Sequence, residues 1–287
     1  MKQSFHLVIL GADNPVGKAF TELAQSQGIS LHAINEGVWD LSDLSVMHAT
    51  IKELSPSFVI NCIMPSKNGM TLSQADVLGQ VCKAHDVALV QLSSNSVFAG
   101  QEGENFKEDD EPNPTTDMGL DIFAVETAII NNCPQHLILR AGWMFSSVGE
   151  DDVSLLIKLA QSSDRLELSD SRPMCPTSAC DIASVILAMV QQSRYTPLWG
   201  IYHYCSSEPT SLFKFAEVVV AEARQYESID VAQINSSASS EMNTFFAESS
   251  PKIASKKLLY TFGIKPKPWR QALSRILKKR YNAAVSA

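Results

Sequence analysis

Two hydrophobic rhythms alternate through the first half of the chain. Residues 5–10 form a short apolar run of strand formers, and Gly11 follows at once. Val16, Ala19, Phe20, Leu23 and Ala24 then recur at helical spacing, which predicts a strand followed by a helix over 15–27. Pro15 suits a first helical turn and Gly28 a helix end. The pair of rhythms repeats, predicting strands over 31–34, 58–62, 88–92 and 137–140 and helices over 42–54, 72–85 and 117–131. An acidic loop, 102–111, is closed by Pro112 and Pro114. Such alternation predicts an α/β fold whose doubly wound parallel sheet is covered on both faces.

The second half is less regular. Helices are expected over 153–162, 180–192 and 212–225, and residues 227–252, rich in Ser, Asn and Ala, read as a long surface segment. The expected organisation is a sheet domain over 1–145 and a smaller lobe over 146–287, with some chain crossing back to the first domain. There is no internal repeat.

Composition narrows the class. With 45% apolar and 19% charged residues in 287, the chain can bury a large core and lacks the signature of disorder. Its longest apolar runs, such as 182–190, are too short to span a bilayer, and the start shows no signal-peptide pattern, so a soluble cytoplasmic protein is expected. Six scattered cysteines show no zinc-like spacing; reduced, mostly buried thiols and no metal are expected.

The net charge of −8 is unevenly spread. After residue 250 there are ten Lys/Arg and no Asp/Glu, so the preceding residues carry about −18. The acidic remainder would repel phosphate, so nucleic acid is not an expected partner. The basic tail reads as a solvated helix face, or as one docked onto an acidic surface of this or another protein.

The first strand ends in Gly11-Ala12-Asp13-Asn14-Pro15-Val16-Gly17. At a strand-to-helix turn, glycines let backbone amides approach a pyrophosphate whose charge the helix N-terminus favours. This is a Rossmann-like signal and makes Gly11, Asp13, Asn14, Val16 and Gly17 candidate cofactor residues. Asn14 stands where the fingerprint has its middle glycine. Asn tolerates left-handed backbone better than most residues, so the turn can survive the exchange. After the second strand come Asn35, Glu36 and Gly37, with no cation for a 2′-phosphate. The stretch favours NAD(H) over NADP(H).

Seven segments together resemble the dTDP-4-dehydrorhamnose reductase family, a branch of the extended short-chain dehydrogenases/reductases. They are Trp39-Asp40-Leu41-Ser42, Val59-Ile60-Asn61-Cys62, the run from Ser93 to Gly100, Leu139-Arg140-Ala141-Gly142-Trp143, Pro176-Thr177 with Asp181-Ile182-Ala183, Gly200-Ile201-Tyr202-His203 with Ser211 and Phe215-Ala216, and Phe262-Gly263-Ile264 with Trp269 and Leu273. They cover nearly the whole chain in the family's order. The resemblance implies a Rossmann domain with a smaller lobe. Asp40 and Leu41 would lie near an adenine, Cys62, Ile63 and Met64 near a nicotinamide, and Asn95, Trp143 and Arg172 near a nucleotide sugar. It also implies NAD(H) or NADP(H) as cofactor, a homodimer or another protein as a further partner, and reduction of a keto sugar.

That reaction uses a Tyr to deliver the proton, a Lys four residues on to lower the Tyr pKa, and a Ser/Thr hydroxyl to polarise the carbonyl. In register with the family, Met118 falls at the Tyr position and Ile122 at the Lys position. Neither can donate a proton or carry charge. Ser94 falls at the Ser/Thr position, where it is equally readable as a strand-end hydroxyl bonded to backbone. No Tyr precedes Tyr195, so none nearby replaces the lost one. The expectation is therefore a catalytically impaired pseudo-reductase with a binding or regulatory role. The alternative is an active NAD(P)H-dependent reductase with an altered proton donor, for which Asp117 and Asp121 are candidates.

Overall fold

The computed structural model describes residues 5–65, 69–99, 105–146, 152–171, 173–231, 233–237 and 251–285. Strand and helix alternate as β1 (His6–Leu10), α1 (Pro15–Ser26), β2 (Ser30–Ile34), α2 (Leu44–Leu54), β3 (Phe58–Asn61), α3 (Leu72–Ala84), β4 (Ala88–Ser94), α4 (Asp117–Asn132) and β5 (His136–Ala141). There follow β6 (Met144–Phe145), α5 (Asp152–Ser162), β7 (Arg165–Leu168), β8 (Thr177–Ser178), α6 (Ala179–Ser193), β9 (Gly200–Tyr204), α7 (Leu212–Ala223), β10 (Gln233–Ser236), α8 (Lys256–Phe262) and α9 (Trp269–Val285).

Six strands form one parallel sheet in the order β2-β1-β3-β4-β5-β9. Side-chain alternation along these strands sorts the apolar residues onto two faces. Leu7, Ile9, Phe58, Ile60, Val90 and Leu92 pack with α1, α6 and α8, while Val8, Leu10, Val59 and Leu89 pack with α2, α3 and α4. Both faces are dry, which is why these strands read as apolar runs rather than as alternations. The predicted elements of the first half are all present, with ends within two residues.

The second half supplies what the hydrophobic rhythm missed. β9 joins the main sheet beside β5, while β7 pairs with β10 and β6 with β8 in two-stranded sheets. Helices α5, α7 and α9 close over a separate core holding Trp143, Phe145, Leu156, Phe215 and Trp269. The segment 227–252, expected to be a long surface segment, contains β10, whose backbone completes β7 edge to edge. Residues 238–250 lie outside those described.

The basic tail turns inward. Lys279 on α9 pairs with Glu22 on α1 at 2.7 Å, and Lys267 pairs with Asp181 at the start of α6 at 3.2 Å. These tail cations thus meet carboxylates of the same chain. Among the described residues no helix is long and apolar enough to cross a membrane.

Candidate dinucleotide cleft

The carboxyl ends of β1, β3 and β4 open into a cleft of about 310 Å³. Asn14, Pro15 and Val16 line it from the first turn of α1, Cys62 and Met64 from beyond β3, Leu92 from β4, and Met144 from β6. Glu36, beyond β2, closes one end. In doubly wound sheets this crevice is where ligands bind.

Two glycines shape the turn. Gly11 has φ +76°, a left-handed backbone that other residues adopt only at a cost. A Cβ on Gly17 would stand 2.0 Å from the Gly11 carbonyl oxygen, so only glycine lets α1 sit this close to β1. Asn14 works differently from the sequence expectation. It has φ −79° and ψ 167°, an ordinary extended N-cap, and so needs no left-handed tolerance. Its Oδ1 accepts from the Gly17 amide at 2.8 Å, and its Nδ2 donates to the Cys62 carbonyl at 2.7 Å. One amide side chain thus caps α1 and ties it to the end of β3.

Most backbone amides of the turn are already engaged. The Gly17 amide is taken by Asn14 Oδ1, the Lys18 amide by the Asn14 carbonyl, and Pro15 has no N–H. Val16 provides the remaining amide of the first turn, backed by the positive end of the helix dipole. Beside it, Asp13 Oδ1 accepts from the Glu36 amide at 2.8 Å. Burial and the nearby Asp13 charge raise the Glu36 pKa. Two carboxylates therefore stand close together at the β2 end of the cleft. Among the described residues lining the cleft there is no Lys or Arg.

Asp40 is exposed and caps its own turn through Ser42, accepting from the Ser42 amide at 3.0 Å. Those bonds hold its carboxyl below the usual range. Leu41 is buried in the β2-side core. Burial pushes the Cys62 thiol up to about 12, which makes it an inert wall. Ile63 and Met64 follow it as bulky apolar walls, Ile63 fully buried and Met64 half-buried.

The helix expected to carry the proton-transfer pair is α4. Met118 is 57% exposed. Ile122, one turn on, is sealed among Val97, Phe98, Cys175, Cys205 and Ile253. Gly119 between them packs against a 3-10 turn, Asn95–Val97, where a Cβ would lie 2.4 Å from the Ser96 carbonyl oxygen. Ser94 accepts from the Ser96 amide at 3.1 Å and shares a bond with the Ser96 hydroxyl at 2.9 Å. It caps that turn. Asn95 is buried and donates to the Pro251 carbonyl at 2.6 Å. Trp143 lies in the second core, edge-on to Phe215 at 5.1 Å. Arg172 lies outside the described residues.

Sequence reasoning missed a buried polar network beneath the site. Glu126 on α4 accepts from Arg140 Nη2 on β5 at 2.7 Å and from the Ser93 hydroxyl at 2.5 Å. Arg140 Nη1 lies 3.5 Å from His203 Nε2 on β9, and its guanidinium lies over Phe98. Glu108, in the loop read from sequence as acidic, is buried and accepts from the His203 amide. The signal was an Arg in the middle of an apolar strand, which can be buried only beside a carboxylate.

The sheet order and the crevice at the carboxyl ends of its strands define a Rossmann-like α/β fold. The chain belongs to the family of the RmlD substrate binding domain, whose profile matches residues 5–64 and 66–282. It is 24% identical over 286 residues to a dTDP-4-dehydrorhamnose reductase of Aggregatibacter actinomycetemcomitans, covering 94% of this chain and 97% of that one. The dTDP-4-dehydrorhamnose reductase of Bacillus anthracis in complex with NADP superposes with a TM-score of 0.83 at 20% identity, covering 96% and 99%. The Thermus thermophilus UDP-glucose 4-epimerase complexed with NAD gives 0.74 at 15% identity, covering 97% and 99%.

Proposed function

We propose that this chain is a pseudo-reductase. It binds a nicotinamide dinucleotide and a nucleotide sugar in the family's cleft, does not reduce the sugar, and serves a binding or regulatory role. The observation that carries this reading is the fate of α4. Met118 points to solvent and Ile122 is packed in an apolar cluster, so neither a proton donor nor a cation stands where the reaction needs both. Tyr202 and Tyr204 do not replace them: both are buried on β9, and the Tyr202 hydroxyl donates to the Leu198 carbonyl.

Solved relatives carry NADP in one case and NAD in another. Here the preference is for NAD(H). Asp13 and Glu36 can accept from ribose hydroxyls and would repel a 2′-phosphate. Gly11 and Gly17 give the turn its shape, Asn14 holds it, and the Val16 amide meets the pyrophosphate. When bound, NADH carries a hydride. This chain's residues hold and shield the dinucleotide, and the α4 positions Met118 and Ile122 offer no group to protonate a developing alkoxide.

The test is calorimetric titration with NADH and NADPH separately, followed by a turnover assay with dTDP-4-dehydrorhamnose. Micromolar NADH binding, weaker NADPH binding and no turnover are expected. Turnover at an ordinary enzymatic rate would sink the impaired reading. Absence of binding by either dinucleotide would sink the ligand assignment.

A further inference from the structure

Five of the six cysteines are buried, and Cys180 is exposed. Two of the buried ones, thirty residues apart, meet at one point in the fold. Cys175 lies just before β8, and Cys205 directly follows β9. Both converge on Gly142: a Cβ there would lie 2.9 Å from the Cys175 carbonyl oxygen and 3.0 Å from Cys205 Cβ. Both side chains belong to one buried cluster with Val97, Phe98, Ile122 and Ile253. The Cys205 thiol in turn donates to the Ile253 carbonyl at 3.2 Å.

We propose that Cys175 and Cys205 form a redox-active dithiol that a hydroperoxide converts reversibly into an intramolecular disulfide. The Cys205 sulfur attacks the peroxide oxygen and the O–O bond breaks. With hydrogen peroxide the leaving hydroxide takes up the thiol's proton and departs as water, leaving Cys205 as a sulfenic acid. The Cys175 sulfur then attacks the Cys205 sulfur. The S–O bond breaks, and the hydroxyl leaves as water with the Cys175 proton. Two electrons pass from the sulfur pair to the peroxide.

The roles follow from the surroundings. The Cys175 thiol first, then the Ser255 hydroxyl and the Lys252 charge, draw the Cys205 pKa down against burial. Thiolate character favours attack. Cys82 and Cys133 are an internal contrast. Burial and the neighbouring sulfur hold Cys82 well above the ordinary thiol range, and burial holds Cys133 up at about 11. Both are 0% exposed, against 4% and 5% for Cys175 and Cys205.

A disulfide would also remove the S–H that Cys205 gives to Ile253. That carbonyl belongs to the segment 251–254, which binds Asn95 through the Pro251 carbonyl and pairs with Phe106. Oxidation would therefore loosen the clasp over the 3-10 turn that begins at Asn95.

The experiment treats the purified full chain with hydrogen peroxide, quenches in acid, alkylates remaining thiols after denaturation, and maps peptides by mass. A Cys175–Cys205 cross-link lacking two hydrogens is expected. It should be reversed by dithiothreitol and form at least tenfold faster than any product at Cys82 or Cys133. In Cys175→Ser, dimedone should trap Cys205 as the sulfenic acid; should that variant not fold, the wild-type map decides alone. Recovery of Cys175 and Cys205 as free thiols after Cys180 has oxidised would overturn the proposal. Nothing in this readout depends on dinucleotide binding.

Discussion

The carboxylate of Glu126 grips the guanidinium of Arg140 at 2.7 Å where neither side chain is more than 2% exposed. The pair fastens α4 to β5 beneath the cleft, and the Ser93 hydroxyl takes part from β4. Removing one partner would leave an uncompensated charge in a dry interior. Glu126→Gln should therefore cost about 3–5 kcal/mol in urea unfolding. Lys279→Met, which breaks the surface pair with Glu22, should change stability by less than about 1 kcal/mol. Equal effects would show that burial does not set the strength of these pairs.

Gly17→Ala tests the turn. Its methyl would meet the Gly11 carbonyl oxygen at 2.0 Å and the Ala12 Cα at 2.8 Å, both backbone atoms. The expected outcome is a loss of about 1–3 kcal/mol in stability together with loss of NADH binding in calorimetry. Unchanged binding would mean that the dinucleotide does not use this turn.

Acid should weaken the fold through His203. Burial first, and the Arg140 charge second, hold its pKa down to about 3, against an ordinary 6.5. Between those values the unfolded chain binds the proton and the folded chain does not, so stability falls as pH drops through that window. The slope from this group reaches about 1.4 kcal/mol per pH unit. Glu108, whose carboxyl burial raises, contributes in the opposite sense above its usual range. Urea midpoints measured from pH 7 to pH 4 should fall more steeply for the wild type than for His203→Gln.

Restoring the family's pair should not come from one substitution. Met118→Tyr places a phenol on an exposed site and should leave stability unchanged within about 0.5 kcal/mol. Without a cation at 122, it should leave NADH-dependent turnover at background. Ile122→Lys puts an ammonium among Val97, Phe98 and Ile253 and should cost at least about 3 kcal/mol. A steady-state assay of both single variants and the double variant, with unfolding curves alongside, checks each part.

The carboxylates at the β2 end should decide the dinucleotide. Glu36→Arg exchanges repulsion for a partner to a 2′-phosphate and should raise the NADPH:NADH affinity ratio about tenfold or more, ~1.4 kcal/mol. Parallel titrations of wild type and variant give this ratio directly.

How much of this was legible in the sequence depended on how local each cause was. Pro15 at the head of α1 and the apolar runs of β1, β3 and β4 report burial directly, and they placed the first nine elements. The glycine turn was equally legible, but the role of Asn14 was not, because its partner, the Cys62 carbonyl, is 48 residues away. β9 carries Tyr202 and His203 beside Gly200 and has no clean alternation, so only its pairing with β5 reveals it. Likewise, nothing adjacent to Glu108 shows that it turns inward to the His203 amide. The reading of Met118 and Ile122 at the positions of the pair rests on register alone. The structure adds that one is exposed and the other sealed.

The sixth strand has a consequence for the timing of assembly. β5 ends at Ala141 and its outer neighbour β9 begins at Gly200, about sixty residues later. During synthesis the apolar edge formed by Leu137, Ile138 and Leu139 must wait for that stretch to emerge and fold back. Until then it is an unpaired parallel edge, open to pairing with another chain. Growth temperature and translation rate should thus govern the yield of soluble protein more strongly than the stability of the finished molecule does.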